Sequence, residues 1–280
     1  MPLRPITALF LALLAQPAMA GYASRDAWLP IAGRAAGGYG RVFATTIWIT
    51  NVSSDAADVA VSFCPSMQPN PSPPTVARFR LASGQTRVIE DLGVPGVGAV
   101  RIRSSREVVA HGRVYTIDTS VSTAFNAVPA QFAIGNGETT TLQGASFAEG
   151  LRYRIYAAET TGEAIYFSIA LLDPSQRILG EKRLYLAGFE PRVFDLRDEF
   201  PSIGSGDALV RIKGVNGSGR LIATGSLIAT ASGDGTSYEM TFPTRPRTRV
   251  GAGETSIYAA VALAIVAAAI GTIVSAVRRI

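Results

Sequence analysis

Hydrophobic and polar side chains alternate in two similar stretches of the chain, residues 45–63 and 155–172. Each stretch consists of an alternating segment, a polar segment rich in turn-forming residues, and a second alternating segment. A period of two is typical of a β-strand that buries one face. The pattern therefore predicts two similar hairpins. The apolar positions of their second strands correspond as Val59, Val61 and Phe63 with Phe167, Ile169 and Leu171.

The similarity continues beyond these stretches. Four further blocks recur in the same order: LASGQTRVIEDL (81–92) with LAGFEPRVFDL (186–196), GAVRIR (98–103) with ALVRIK (208–213), VVAHGRVY (108–115) with LIATGSLI (221–228), and TAFNAVPA (123–130) with TSYEMTFP (236–243). Matches that keep one order indicate duplication of a single unit. We therefore predict two domains, residues 21–133 and 134–243.

Each unit contains about seven short alternating segments separated by turn signals, and helical periodicity is confined to the two ends of the chain. This pattern predicts an all-β fold of two tandem antiparallel immunoglobulin-like β-sandwiches. The proline-rich segment 67–76 cannot form an inner strand. It is either a recognition loop or a tolerated insertion at the edge of a sheet.

Both ends of the chain predict export and anchoring. Residues 1–20 combine Arg4, a short apolar run and a small-residue cleavage site, which is typical of a signal peptide. Residues 256–277 are predicted to form a transmembrane helix, because the uncharged run from Ile257 to Val277 would rise about 30 Å. Residues 278–280, with Arg278 and Arg279, would form a cytoplasmic tail. The alternatives are a buried alanine-rich helix and a sorting tail that is cleaved on export.

The charge pattern separates a neutral body from a basic linker. Residues 21–243 contain 20 basic and 20 acidic side chains, so the net charge of +5 resides outside them. A neutral body excludes the basic footprint that nucleic-acid binding requires. Residues 244–255 are predicted to form a stalk, whose basic side chains could contact lipid headgroups or an anionic envelope polymer. These side chains are Arg245, Arg247 and Arg249.

The segment GRAAGGYGRVFATTIWITN and the blocks that follow it resemble a known kind of repeat. Tandem immunoglobulin-like β-sandwich repeats of secreted and surface bacterial proteins carry a glycine-rich R-x-x-G-x-x-G segment before a D-L-W-I-T-N strand. Here Thr46 stands in place of the aspartate, while Trp48 and Asn51 match. The second copy lacks the tryptophan and the asparagine. The resemblance implies the fold, with no assigned function and no catalytic residues.

The sequence contains few residues that could form a catalytic site or a zinc site. His111 is the only histidine, and a triad with Asp118 and a serine is conceivable. Its counterpart in the second copy is Thr224, however, which favours a half-buried strand position. One histidine and one cysteine, Cys64, cannot complete a zinc site. Cys64 is interpreted as an inert thiol at a strand end, with pairing between two molecules as the alternative.

A calcium site is the remaining metal candidate. The carboxylates that could form it are Asp195, Asp198, Glu199 and Asp207. Their spacing matches no calcium loop, and Arg192 and Arg197 lie beside them. A solvated acidic loop is therefore the favoured interpretation, and we predict no metal, cofactor or catalytic residue.

Trp48 and Asn51 are the candidates for an interaction surface within the folded body. Trp48 alternates with Ile47 and Ile49, so it should point away from the face that enters the core. We expect it to cover a sheet or to contact the neighbouring domain. The alternative is an exposed aromatic ring that stacks on carbohydrate or peptide.

Together these features predict a non-enzymatic protein that is exported and membrane-anchored, with its bulk in the periplasm or on the cell surface. Its partners would be membrane lipid and another envelope protein or polysaccharide, which it would bind or space. One alternative is an assembly accessory that accepts a partner's strand at a sheet edge. A hydrolase that uses His111 is the other.

Overall fold

A computed structural model describes residues 22–36, 42–117 and 122–241 of the chain. These residues form sixteen strands, and every pairing between them is antiparallel. Their only helical segments are a 3-10 turn, Ala130–Phe132, and a four-residue helix, α1 (Leu196–Glu199). The prediction of an all-β fold with antiparallel sheets is confirmed.

The first eight strands, here called the N half, form one sheet in the order β4-β3-β6-β1-β2-β5, with β7 paired to β6 and β8 to β1. Strand β6 is 21 residues long; its first part pairs with β3 and its last part with β2. The bounds are β1 Ser24–Ala36, β2 Val42–Asn51, β3 Ala57–Pro65, β4 Thr75–Leu81, β5 Thr86–Ile89, β6 Gly96–Thr116, β7 Ser122–Asn126 and β8 Val128–Pro129.

The other eight strands, here called the C half, form two four-stranded sheets, β13-β10-β15-β16 and β12-β11-β14-β9. Buried side chains of both sheets, such as Ile155 and Phe167, belong to one core. The bounds are β9 Thr139–Ser146, β10 Leu151–Glu159, β11 Ile165–Leu172, β12 Ile178–Leu186, β13 Pro191–Asp195, β14 Asp207–Gly217, β15 Leu221–Ala229 and β16 Gly235–Glu239.

Within the described residues, all six strand pairings of the C half have counterparts in the N half, which contains the pairings β1–β2 and β1–β8 in addition. The pairs β2–β5 and β3–β4 of the N half correspond to β10–β13 and β11–β12 of the C half. Strand β6 pairs with β1, β2, β3 and β7, and the corresponding contacts in the C half are shared between β14 and β15. The sequence explains the difference, since residues 104–107 lack glycine, whereas residues 214–220 contain three.

The predicted hairpins are wrong in their pairing, although the strands are correct. Strands β2 and β3 both pair with β6 and not with each other, and β10 and β11 lie in different sheets. Alternation specifies which face of a strand is buried and says nothing about its partner. The polar segments therefore connect two strands that each pair with β6 in the N half, and two strands of different sheets in the C half. The six alternating positions of β3 and β11 are all buried, as expected.

Two hydrophobic cores support the sheets. One consists of N-half side chains such as Leu29, Ile47 and Ile102. The other lies mainly in the C half but includes the buried N-half residues Trp28 and Cys64. The two halves are therefore joined through apolar contacts.

Several predicted segments lie outside the described residues. These are the signal peptide 1–20, the stalk 244–255 with Arg245, Arg247 and Arg249, the helix 256–277 from Ile257 to Val277, and the tail with Arg278 and Arg279. Within residues 22–36, 42–117 and 122–241, no helix has the length and apolar character needed to cross a membrane. The anchor and the domain bounds at 133 and 134 stay predictions.

Candidate functional site

Trp48 lies in a row of side chains that crosses four strands. It is directly opposite Val88 of β5 and His111 of β6, and His111 is in turn opposite Asn126 of β7. Directly opposed residues of antiparallel strands point to the same face, with Cβ atoms about 5 Å apart. Val88, Trp48, His111 and Asn126 therefore form one continuous strip, here called the Trp48 row.

The Trp48 row lies on the outer face of the N half. The neighbours that alternate with it, Ile47, Ile49 and Phe125, belong to the buried core. Val88 is 41% exposed, whereas Trp48 is half-buried. The indole therefore covers part of the sheet and presents its remaining surface beside the imidazole of His111.

A chain of hydrogen bonds extends the Trp48 row into the C half. Asn126 donates from Nδ2 to Oε1 of Glu239 in β16, and its Oδ1 lies 2.6 Å from Nδ1 of His111. With Asn126 oriented in this way, His111 donates from Nδ1. In the neutral ring, Nε2 is then a hydrogen-bond acceptor. The arrangement joins an aromatic surface to an imidazole, an amide and a carboxylate.

A shallow cavity of about 800 Å³ adjoins this hydrogen-bonded chain. His111, Asn126 and Glu239 line it together with Tyr22 and Gln143. Such groups can bond sugar hydroxyls or peptide groups, because they offer both donors and acceptors. The nearby hydroxyl of Ser237 donates to the carbonyl of Ala124, so its proton is engaged in a structural bond. Asp118, the carboxylate considered for a triad, lies outside the described residues.

Asn51, the second candidate for the surface, is fully buried. Its Nδ2 donates to the carbonyls of Asp55, Leu81 and Ala82 at 2.8–3.2 Å, and its Oδ1 accepts from the amide of Ser53. The side chain thus holds the connection from β2 to β3 against the end of β4. It presents no polar atom to a partner, because folding already uses its whole amide group.

Glu159 ends β10 as Asn51 ends β2, and it performs the corresponding task in the C half. Its carboxylate is fully buried and accepts from four backbone amides and one hydroxyl at 2.5–3.0 Å. The amide donors belong to Thr161, Gly162, Phe189 and Arg220. Glu159 thus replaces the asparagine that the second copy lacks, which the repeated blocks of the sequence did not indicate. The sequence does contain an indication of this shared role, since Asn51 and Glu159 each precede the polar segment of their repeat.

The acidic loop around Asp195 is neutralised by arginines. Asp195 is buried and bonds Arg152, and the Nε of Arg154 lies 3.4 Å from its Oδ2. Its Oδ1 accepts from the amide of Arg197 and so caps α1. The expectation of a solvated loop is therefore wrong for Asp195, and Arg192, expected beside it, instead bonds Glu190. In the described part of the chain, no group of three or more potential ligands is placed to hold a metal ion.

Cys64 lies in β3 and is fully buried near the contact between the halves. Burial raises the pKa of its thiol to about 12, with Arg101 opposing and Glu159 reinforcing the change. A thiol in this place is protonated at neutral pH and shielded from another molecule. The geometry therefore favours the inert role over pairing between chains.

The proline-rich loop before β4 contacts the C half. The amides of Met67 and Asn70 donate to the carbonyls of Pro191 and Gly188, at 2.9 and 3.0 Å. The Asn70 side chain is buried and also donates to the carbonyl of Phe189. This loop fastens the halves together, a role that composition alone did not reveal.

Comparison with known proteins adds no family: no protein-family model matches the chain, and no curated protein is significantly similar to it. The resemblance to tandem immunoglobulin-like repeats of secreted and surface bacterial proteins therefore stays a prediction. It depends on the residues around Trp48 and on the repeated blocks of the sequence.

Proposed function

We propose that the chain is a non-enzymatic binding protein of the bacterial cell envelope, built from two tandem immunoglobulin-like β-sandwiches. It is exported, anchored by residues 256–277, and held away from the membrane by its arginine-containing stalk. Support for the tandem arrangement comes from the strand pairings that both halves share. Support for the anchor comes from the uncharged run and the two arginines that follow it.

The observation that carries the binding role is the Trp48 row. An indole on an outer sheet face, directly opposite His111 and with Asn126 on the strand beyond, combines a stacking surface with hydrogen-bonding groups. Sugar rings bind through this combination, because their C–H faces pack on aromatic rings while their hydroxyls bond to polar side chains. An envelope polysaccharide is therefore the proposed partner. The linker arginines would add attraction to anionic lipid or polymer.

Binding to isolated envelope polysaccharide tests this role. Full-length protein in a mild detergent would be compared with Trp48→Ala and with Tyr166→Ala, which removes an exposed aromatic ring of β11 far from the Trp48 row in sequence. We expect Trp48→Ala to weaken binding at least tenfold, and Tyr166→Ala to leave it unchanged. Equal binding by all three proteins would refute the role of the row.

Thermal unfolding separates a binding role from a packing role. Because Trp48 is half-buried, its loss should lower the free energy of unfolding by about 1 kcal/mol or less. A large loss of stability with unchanged binding per folded molecule would assign Trp48 to sheet covering alone. Fractionation of cells tests the location, since recovery of mature protein from the cytoplasm would contradict export.

A further inference from the structure

A cleft between the two halves has a cationic wall and an apolar wall. Its volume is about 510 Å³, which is within the usual size of a small-molecule site. We propose that this cleft binds a small amphipathic monocarboxylate, an organic acid with an apolar body. Trp48, His111 and Asn126 do not line it, so the proposal is independent of polysaccharide binding.

The cationic wall is the outer face of β10. Arg152 and Arg154 are two positions apart on this strand, so both point into the cleft. Both contact the same oxygen of Asp195 through Nε, and their side chains remain 39% and 36% exposed. A guanidinium has five N–H donors, so these contacts leave each arginine with donors for an anion.

The charge balance of this wall selects a monoanion. Two guanidinium groups face one buried carboxylate, that of Asp195, which leaves one positive charge in excess. Asp198 reduces this charge only slightly, because it lies 3.7 Å from Arg152 and its side chain is 75% exposed. A single carboxylate on the ligand would complete the balance, and bidentate contact with a guanidinium is its preferred geometry.

The floor of the cleft contains a hydroxyl group that needs a partner. Thr224 of β15 is directly opposite Tyr156 and is almost fully buried. Its Oγ1 has no hydrogen-bond partner among the described residues, although it lines the cleft. Buried hydroxyl groups are normally paired, and the cost of an unpaired one is removed when a ligand oxygen accepts its proton. Ser226, opposite Arg154, places a second hydroxyl beside it.

The opposite wall comes from the N half and is mostly apolar. It includes Ile31, Phe43, Val97, Val114 and Phe125. A hydrated inorganic anion would leave these side chains uncovered, whereas an acid with an aryl or alkyl body would bury its apolar surface against them. The two walls together therefore point to an amphipathic acid.

Titration calorimetry of the full-length protein with three probes tests the site. The probes are 4-phenylbutyrate, the neutral 4-phenylbutanol, and acetate, which lacks an apolar body. We expect 4-phenylbutyrate to bind with one site per chain and the other two to bind at least tenfold more weakly. Absence of binding by 4-phenylbutyrate would overturn the proposal, and so would equal affinity for the alcohol.

Three variants then locate the binding. Arg154→Gln should weaken 4-phenylbutyrate binding at least tenfold, while Arg183→Gln, on an exposed position of β12, should not change it. Thr224→Val keeps the side-chain shape, so it should fold normally and weaken binding several-fold. If Arg154→Gln does not fold, Thr224→Val alone tests whether the probe binds in this cleft. Unchanged affinity in Thr224→Val and in folded Arg154→Gln would place the probe elsewhere, and polysaccharide binding should persist in both variants.

Discussion

Trp28 of β1 stacks on Phe189, which precedes β13, with ring centroids 5.9 Å apart and ring planes inclined by 22°. The guanidinium carbon of Arg101 lies 5.3 Å from the centroid of each ring. Arg101 is itself held by Asp26 through two hydrogen bonds. A fully buried tryptophan of the N half thus packs on the C half under a fixed cation. This contact is the centre of the junction between the halves.

Replacing Trp28 by alanine should therefore destabilise the whole folded body. The change removes the largest buried side chain at the junction, so we expect the free energy of unfolding to fall by about 3–5 kcal/mol. Urea unfolding followed by tyrosine fluorescence would measure it. Trp48→Ala is the matched control, with an expected loss of about 1 kcal/mol or less. Similar losses in the two variants would contradict the central position of Trp28.

The two tryptophans show what alternation can predict and where it stops. Alternation correctly placed Trp48 on the other face of β2 from Ile47 and Ile49, because the period of a strand depends on local geometry. It could not show that Trp28, and not Trp48, joins the halves. That contact depends on Phe189, which is 161 positions away in the chain and outside any local pattern.

Asn70 should be the most sensitive position of the proline-rich loop. Its buried Nδ2 lies 2.9–3.1 Å from the carbonyl oxygens of Pro65, Gln68 and Phe189. Asn70→Ala leaves these acceptors without a donor and should cost about 1–3 kcal/mol of stability. Asn70→Asp should cost more, because a carboxylate would face three carbonyl oxygens. Denaturant titration measures both.

The control for this loop is Asn216→Ala. Asn216 is exposed, and among the described residues its side chain accepts from the neighbouring amide of Gly217 alone. Its replacement should change the free energy of unfolding by less than about 0.5 kcal/mol. If Asn70→Ala is equally mild, the loop does not fasten the halves.

Glu159→Gln tests the buried carboxylate that replaces the asparagine of the first repeat. Both oxygens of Glu159 accept hydrogen bonds from backbone amides, so a glutamine must turn its NH₂ group towards donors. We expect a loss of about 2–4 kcal/mol in the free energy of unfolding, within the range for a buried charge-assisted network. Glu163→Gln, at an exposed position of the same connection, is the control. A loss below about 1 kcal/mol would show that the network remains stable when one of the two accepting oxygens is replaced by an NH₂ group.

The candidate sites were predictable to different degrees for the same physical reason. Trp48 and His111 attracted attention as rare residues, yet their adjacency depends on the pairing of β2 with β6. Asp195 was expected in a solvated acidic loop, but it is buried at the end of β13. Its partners Arg152 and Arg154 lie 43 and 41 residues away. Composition and period thus suggest which residues matter, while strand pairing decides which of them meet.

The Cys64 thiol should make the stability of the folded chain depend on pH. Burial raises its pKa from 9.0 to about 12, so the folded chain favours the protonated thiol. This contribution to stability is fully present below about pH 9 and is lost as the pH rises towards 12, because the unfolded thiol ionises first. Native protein should therefore resist a thiol reagent at pH 8 and react rapidly in urea. When the pH rises from 9 to 11, the free energy of unfolding should fall less in Cys64→Ala than in the parent protein. Rapid reaction of the native protein at pH 8 would contradict the burial of this thiol.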